Sequence, residues 1–239
     1  MVQRWVFPPL LFLLKLFMQG TVMGQFITFE GIEGCGKTTQ IKRAGEYLKQ
    51  RRIPFIITEE PGGTPIGRKI REILLNKDSL GEINSETELL LFSAARSQHV
   101  RDVIIPALKE CRLVLCDRFY DATLAYQGYG RGLDIDFIRA MNVFSTENVK
   151  PALTFLLDLP VEIGLKRAMN RISRIKDGRA EDRFEREDME FHKRVRTAYL
   201  ALAEQDKNRF RVINSAQDIE TVHQEICSHL SLFINTKSK

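Results

Sequence analysis

From residue 25 onward, short apolar runs alternate with stretches whose apolar residues recur every three or four positions. Residues 25–30 (QFITFE) are β-branched and aromatic and predict a buried strand. Residues 37–51 predict a helix, 55–58 (FIIT) a second strand and 65–75 another helix. A long helical pattern covers 86–108, with Leu89, Leu90, Phe92, Val100, Val103 and Ile104 forming its apolar side. Further strands are expected at 112–116 (RLVLC), 153–157 (LTFLL) and 210–213 (FRVI), and further helices at 134–145, 161–171, 186–205 and 219–233. Strands that are apolar throughout, alternating with amphipathic helices, predict an α/β fold with a parallel sheet covered on both faces by right-handed crossovers. No internal repeat or low-complexity linker interrupts this rhythm, so 25–235 is expected to form a single domain.

Residues 1–24 stand apart. Trp5 to Leu14 is apolar, but this is short of the roughly 18 residues that span a bilayer, and Pro8-Pro9 disfavours a helix through it. Arg4 gives the segment a basic start like that of a signal peptide, yet no small-residue cleavage site follows. We expect an extension outside the fold, with Met18 and Met23 as alternative internal starts and no stable membrane partner.

Charge and cysteine usage narrow the class further. The chain carries 36 Lys plus Arg against 31 Asp plus Glu, and 44% of its residues are hydrophobic, which excludes a disordered chain. The net charge of +5 admits nucleic acid, a membrane surface or a phosphorylated small molecule as partner, depending on where the charges sit. Cys35, Cys111, Cys116 and Cys227 show no C-x-x-C spacing, which argues against a zinc ribbon or a redox pair and for a reducing, cytoplasmic compartment. His99, His192, His223 and His229 show no metal-ligand spacing and read as structural or exposed.

The chemistry begins at Gly31-Ile32-Glu33-Gly34-Cys35-Gly36-Lys37-Thr38, which fits G-x-x-x-x-G-K-[ST] without mismatch, followed by Thr39. It lies directly after a predicted strand and before a predicted helix, as its mechanism requires. Glycines let successive backbone N–H groups turn onto a phosphate, and the helix N-terminus adds partial positive charge. Lys37 can reach the β- and γ-phosphates of ATP, and Thr38 can ligate Mg²⁺. Cys35 reads as a small residue filling a tight loop, with a thiol activated by the helix N-terminus as the alternative.

A phosphate loop alone leaves switches, motors and kinases open. The guanine-reading N-K-x-D is absent from the sequence: Asn76-Lys77-Asp78-Ser79 has its Asp one place early. The third strand ends in Asp117-Arg118-Phe119 rather than Asp-Glu. Asp117 can hold Mg²⁺ through water, and Arg118 is poised for a second phosphate. That pair suits transfer between two phosphates better than hydrolysis.

Further landmarks are Glu60-Pro-Gly-Gly-Thr64, Phe92-Ser-Ala-Ala-Arg96, the run from Asp117-Arg-Phe-Tyr through Ala125-Tyr126-Gln127-Gly-Tyr-Gly130-Arg131-Gly132, and Gly178-Arg-Ala-Glu-Asp-Arg183. In this order the set closely resembles the thymidylate kinases of the bacterial kind, over about residues 25–230. The resemblance implies a five-stranded parallel sheet with a mobile lid, ATP-dependent phosphorylation of dTMP to dTDP, Mg²⁺ as cofactor and a homodimer. It does not imply a nucleic-acid partner. Another nucleoside-monophosphate kinase, or a silent nucleotide-binding protein, are the rivals.

The resemblance also implies roles. Phe92, which shares a helix face with Arg96, would stack on thymine while Arg96 bonds a thymine carbonyl. Arg71 and Arg118 would hold the dTMP phosphate, Arg being a planar fork that matches phosphate oxygens. Thr123 and Gln127 would contact the thymine edge, and Tyr126 the sugar. Glu33 would face the sugar 3′-hydroxyl or a phosphate-binding arginine, and Glu60 would lie near the acceptor. Glu59 stands where many relatives carry Arg. The lid is expected at 171–185, with Arg171, Arg174, Lys176, Arg179 and Arg183. One of Arg171, Arg179 and Arg183 would stabilise the transition state, because the phosphate loop itself offers no arginine.

Overall fold

The computed structural model describes residues 24–75, 83–173 and 183–237. The parallel sheet is built from β1 (Phe26–Glu30), β2 (Phe55–Glu59), β3 (Leu113–Asp117), β4 (Leu153–Asp158) and β5 (Phe210–Asn214), in the order β2-β3-β1-β4-β5. The predicted α/β class and five-stranded parallel sheet therefore hold.

Helices α1 (Lys37–Gln50), α2 (Pro65–Leu75), α3 (Ser85–His99), α4 (Ile105–Lys109), α5 (Tyr120–Thr123), α6 (Ile135–Thr146), α7 (Val161–Ile172), α8 (Met189–Gln205) and α9 (Ile219–Lys237) fill the connections. The long helix predicted at 86–108 runs from α3 through a π-helical turn at Val100–Ile104 into α4. Asn84 caps its start, accepting from Thr87 N–H at 2.7 Å. The wide turn falls just before Pro106, whose ring nitrogen has no proton for the helical ladder. The helix predicted from 186 begins at Met189, because Asp188 caps it through Phe191 N–H at 2.6 Å. The sequence reading assigned no element to 120–130, which is helical: α5 continues into a π-helical segment, Leu124–Gly130. Its glycines read as loop, but its backbone is fixed by packing against α8.

Alternation along the strands sorts the core. Ile27 and Phe29 of β1 lie with Leu113, Leu115 and Phe155, where Ile41, Leu48 and Ile226 also pack. Phe26, Val114 and Cys116 face the other way, toward Val100, Ile104 and Phe119. After β1 the chain moves toward the β2 edge; after β3 it crosses to the β4 side. The carboxyl ends of β1 and β3 thus flank a topological switch point, where α/β sheets hold their ligands.

Candidate active site

The loop between β1 and α1 carries the glycine-rich motif. Gly31, Gly34 and Gly36 all have positive φ, so the chain turns tightly into the N-terminus of α1. Gly34 also packs directly on α7: a Cβ there would lie 2.0 Å from the Gly164 carbonyl oxygen. The Lys37 ammonium folds back on its own loop, donating to the carbonyls of Gly31 and Ile32 at 2.9 and 3.0 Å, with Cys35 Sγ at 3.5 Å. Cys35 and Ile32 are buried, consistent with loop-filling roles, and Thr39 is exposed on α1. Thr38 Oγ1 donates to Asp117 Oδ2 at 3.0 Å, so the hydroxyl and the carboxylate expected to serve Mg²⁺ are side by side.

Arg118 follows Asp117 with φ of 68°, a left-handed conformation that costs energy outside glycine. Its guanidinium donates to Glu33 Oε1 at 2.8 Å and to the Tyr199 hydroxyl at 3.3 Å, and lies 4.8 Å from the Tyr126 ring centre. Tyr126 donates to the same Glu33 oxygen at 2.5 Å. Burial alone would raise the Glu33 carboxyl, but Arg118, His192, Lys37 and Tyr126 together hold it well below the usual carboxylate range. His192 is fully buried, with Nδ1 3.4 Å from Glu33 Oε2. Tyr199 donates in turn to Glu30 Oε2 at 2.7 Å, and Glu30 Oε1 accepts from Phe119 N–H at 2.7 Å. Burial and the nearby Asp121 push the Glu30 carboxyl up to about 8.

A second buried cluster lies farther from the loop. Arg96 is almost wholly buried and donates to Glu60 Oε2 at 2.9 Å, Asn142 Oδ1 at 2.9 Å and Thr123 Oγ1 at 2.6 Å. His99 bridges Glu60 Oε1 at 2.9 Å and Thr58 Oγ1 at 2.6 Å. Arg71 donates to the Pro61 carbonyl at 2.9 Å and to Glu59 at 3.3 Å, so Glu59 orients a basic residue expected at the acceptor. Gln127 donates through Nε2 to the buried Glu88 at 2.7 Å.

Members of both clusters line one cleft of about 190 Å³. It brings together the expected residues Glu33, Gly34, Lys37, Thr38, Glu60, Arg71, Phe92, Arg96, Asp117, Arg118, Thr123, Tyr126, Gln127 and Arg171. Phe184 also lines it, 6.2 Å from Phe92 and 5.4 Å from Tyr126 between ring centres. The arginines of the expected lid separate. Arg171 lines the cleft and donates to Glu185 at 3.0 Å. Arg183 instead meets Glu88 at 2.6 Å and the carbonyls of Leu74 and Ile83 at 3.2 and 3.4 Å, and is not among the lining residues. Arg174, Lys176 and Arg179 lie outside the described residues. Sequence reasoning missed Glu30, Glu88, His99, His192 and Tyr199. The one available signal was the spacing of Glu88, Phe92 and Arg96, four residues apart and hence on one helix face.

A phosphate loop at a parallel-sheet switch point, an Asp-Arg pair beside it and a buried polar wall beyond define a nucleotide-binding protein with the P-loop kinase fold. The thymidylate kinase family model matches residues 29–226. The chain is 56% identical over 210 residues to a thymidylate kinase of Syntrophus aciditrophicus, covering 88% of this chain and 95% of that protein. It is 54% identical over 198 residues to one of Geotalea daltonii, covering 83% and 92%. The crystal structure of thymidylate kinase from Ehrlichia chaffeensis superposes with a TM-score of 0.68 at 35% identity, covering 87% of this chain and 98% of that one. The chain belongs to the thymidylate kinase family.

Proposed function

We propose that the protein transfers the γ-phosphoryl group of ATP to the 5′-phosphate of dTMP, giving dTDP and ADP, a step toward dTTP. The observation that carries this reading is a single cleft. It is lined both by the phosphate loop with Asp117-Arg118 and by an aromatic and amide wall of Phe92, Arg96, Thr123 and Gln127.

Both reactants are anions, so positioning and charge stabilisation supply most of the rate. The loop from Gly31 to Thr39 takes the ATP phosphates, with Lys37 leaving its carbonyl partners for phosphate oxygens. Arg71 and Arg118 hold the dTMP phosphate in line. A phosphate oxygen of dTMP attacks the γ-phosphorus as the bond to the β-phosphate bridging oxygen breaks, and the electron pair leaves with ADP. Phe92 stacks on the base, Arg96 and the Thr123–Gln127 edge read it, and Tyr126 with Glu33 faces the sugar. Glu60, also in the cleft wall, fixes Arg96.

Thr38 and Asp117 offer hard oxygen donors that fit Mg²⁺, leaving other positions to phosphate oxygens and water. Bound there, the metal would neutralise developing phosphate charge. Most of the segment expected as a lid, 174–182, lies outside the described residues. Arg171 is the described arginine best placed to reach the transferring group, since Arg183 is committed to Glu88.

The protein acts as a homodimer. Support comes from apolar side chains left in water on neighbouring helices: Leu90 on α3 and Phe137, Val143 and Phe144 on α6, with Phe144 84% exposed. A cytoplasmic location is supported by four free thiols. Among the described residues, no helix is long and apolar enough to cross a membrane. An acceptor panel tests the reading: dTMP should exceed AMP and UMP in kcat/KM by at least ~10²-fold. A preference for AMP or UMP overturns it.

A further inference from the structure

Two short ladders of residues face each other across the base end of the cleft. On α3, Glu88, Phe92 and Arg96 are spaced four apart, and on the facing helical segment so are Thr123 and Gln127. The ladders are joined by two hydrogen-bonded rungs, Arg96 to Thr123 at 2.6 Å and Gln127 to Glu88 at 2.7 Å, with Phe92 between them on α3. Phe92, Arg96, Thr123 and Gln127 line the cleft, whereas Glu88 stands behind it with no exposed surface.

An ionised carboxylate only accepts hydrogen bonds. The amide atom of Gln127 against Glu88 must therefore be the nitrogen, which turns the carbonyl oxygen away from Glu88. Glu88 is itself held rigidly. Arg131 donates to both of its oxygens at 3.3 and 3.2 Å, and Arg183 reaches Oε2 at 2.6 Å. Arg131 also binds Glu187, so the residues just after the lid segment share this anchor.

We propose that Glu88 is a positioning residue for base selection: it locks the Gln127 amide so that its carbonyl oxygen, an acceptor, is presented to the acceptor nucleotide's base. An acceptor at this place matches the N3–H of thymine and opposes cytosine, whose N3 is itself an acceptor. Arg96, a pure donor, matches thymine O4 and opposes the cytosine amino group. A site with fixed donors and acceptors rejects the mismatched base because its buried groups are left unpaired. This inference rests on the dTMP reading above.

The test compares the full-length wild-type protein with Glu88→Gln, Glu88→Asp, Gln127→Ala and the Glu88→Gln/Gln127→Ala double variant, using dTMP and dCMP with Mg-ATP. Glu88→Gln can donate as well as accept, which frees the Gln127 amide to flip. Glu88→Asp keeps the charge for Arg131 and Arg183 but draws back from Gln127. In both, KM for dTMP should rise ~10-fold with kcat within about threefold, and the preference for dTMP over dCMP should fall ~10-fold. In the Gln127→Ala background, Glu88→Gln should change that preference by less than about twofold. An unchanged preference in both single variants overturns the proposal, as does an undiminished effect of Glu88→Gln without Gln127. A wild-type protein that does not phosphorylate dTMP is a different result and overturns the functional reading itself.

Discussion

The Arg118 guanidinium donates to the Glu33 carboxylate across 2.8 Å, joining the end of β3 to the phosphate loop. On the proposed reading, the contact places a cation that serves one phosphate against an anion inside the loop that binds another. Glu33 therefore aims Arg118, while Tyr126 donates to the same carboxylate oxygen. Arg118→Ala should lower kcat/KM for dTMP by ~10²–10³. Arg118→Lys should recover little, because an ammonium cannot bridge Glu33 and a phosphate as a fork does. Steady-state kinetics with dTMP varied checks both.

Glu30 ties stability to pH. Its carboxyl sits at about 8 in the folded protein against an ordinary 4.5, because it is buried and close to Asp121. Between those values the folded chain holds a proton that the unfolded chain has released, so stability must fall as pH rises through that window. Glu33 works in the opposite sense: its depressed carboxyl stabilises the fold above the ordinary value and loses that contribution as pH drops below it. Thermal melts from about pH 5 to about pH 9 should show the wild-type Tm falling relative to Glu30→Gln toward alkaline pH. Parallel curves would contradict this origin.

The lid arginines should separate by the kind of damage their loss causes. Arg171→Ala should reduce kcat by ~10²–10⁴ with little change in Tm, as for a group that meets charge only in the transition state. Arg183→Ala, which strands part of the buried Glu88 charge, should cost stability by ~1–3 kcal/mol. Single-turnover kinetics alongside denaturant unfolding distinguishes the two.

Gly63 guards the buried base-side cluster. It has φ of 66°, and an added Cβ would lie 2.4 Å from the His99 ring and 2.9 Å from Thr58 Oγ1. His99 and Arg96 together hold Glu60, so the push would reach the guanidinium proposed to read the base. Gly63→Ala should lose ~1–3 kcal/mol of stability and raise KM for dTMP. Unfolding curves and acceptor titration read the two effects.

What could be read from the chain was whatever depends on local order. Apolar runs gave all five strands to within a residue at each end, and strand–loop–helix context made the phosphate loop unambiguous. The helical 120–130 segment escaped because its glycines signal a turn, while its conformation is set by α8, far along the chain. Glu30, His99 and His192 escaped for a related reason: their partners lie 39 to 169 residues away, and no spacing rule reports such meetings. Arg183 looked like any other lid arginine. Only the folded chain commits it to Glu88. Glu59 pairs with Arg71, a contact that joins the end of β2 to α2 and that no spacing rule foretold.

The most direct test is product analysis of the full-length protein with Mg-ATP and dTMP, following both nucleotides by chromatography. The dTMP-kinase assignment predicts one dTDP for each ADP, with ADP formation negligible when dTMP is left out. ADP released without dTDP, or faster product formation from AMP or UMP than from dTMP, would contradict it.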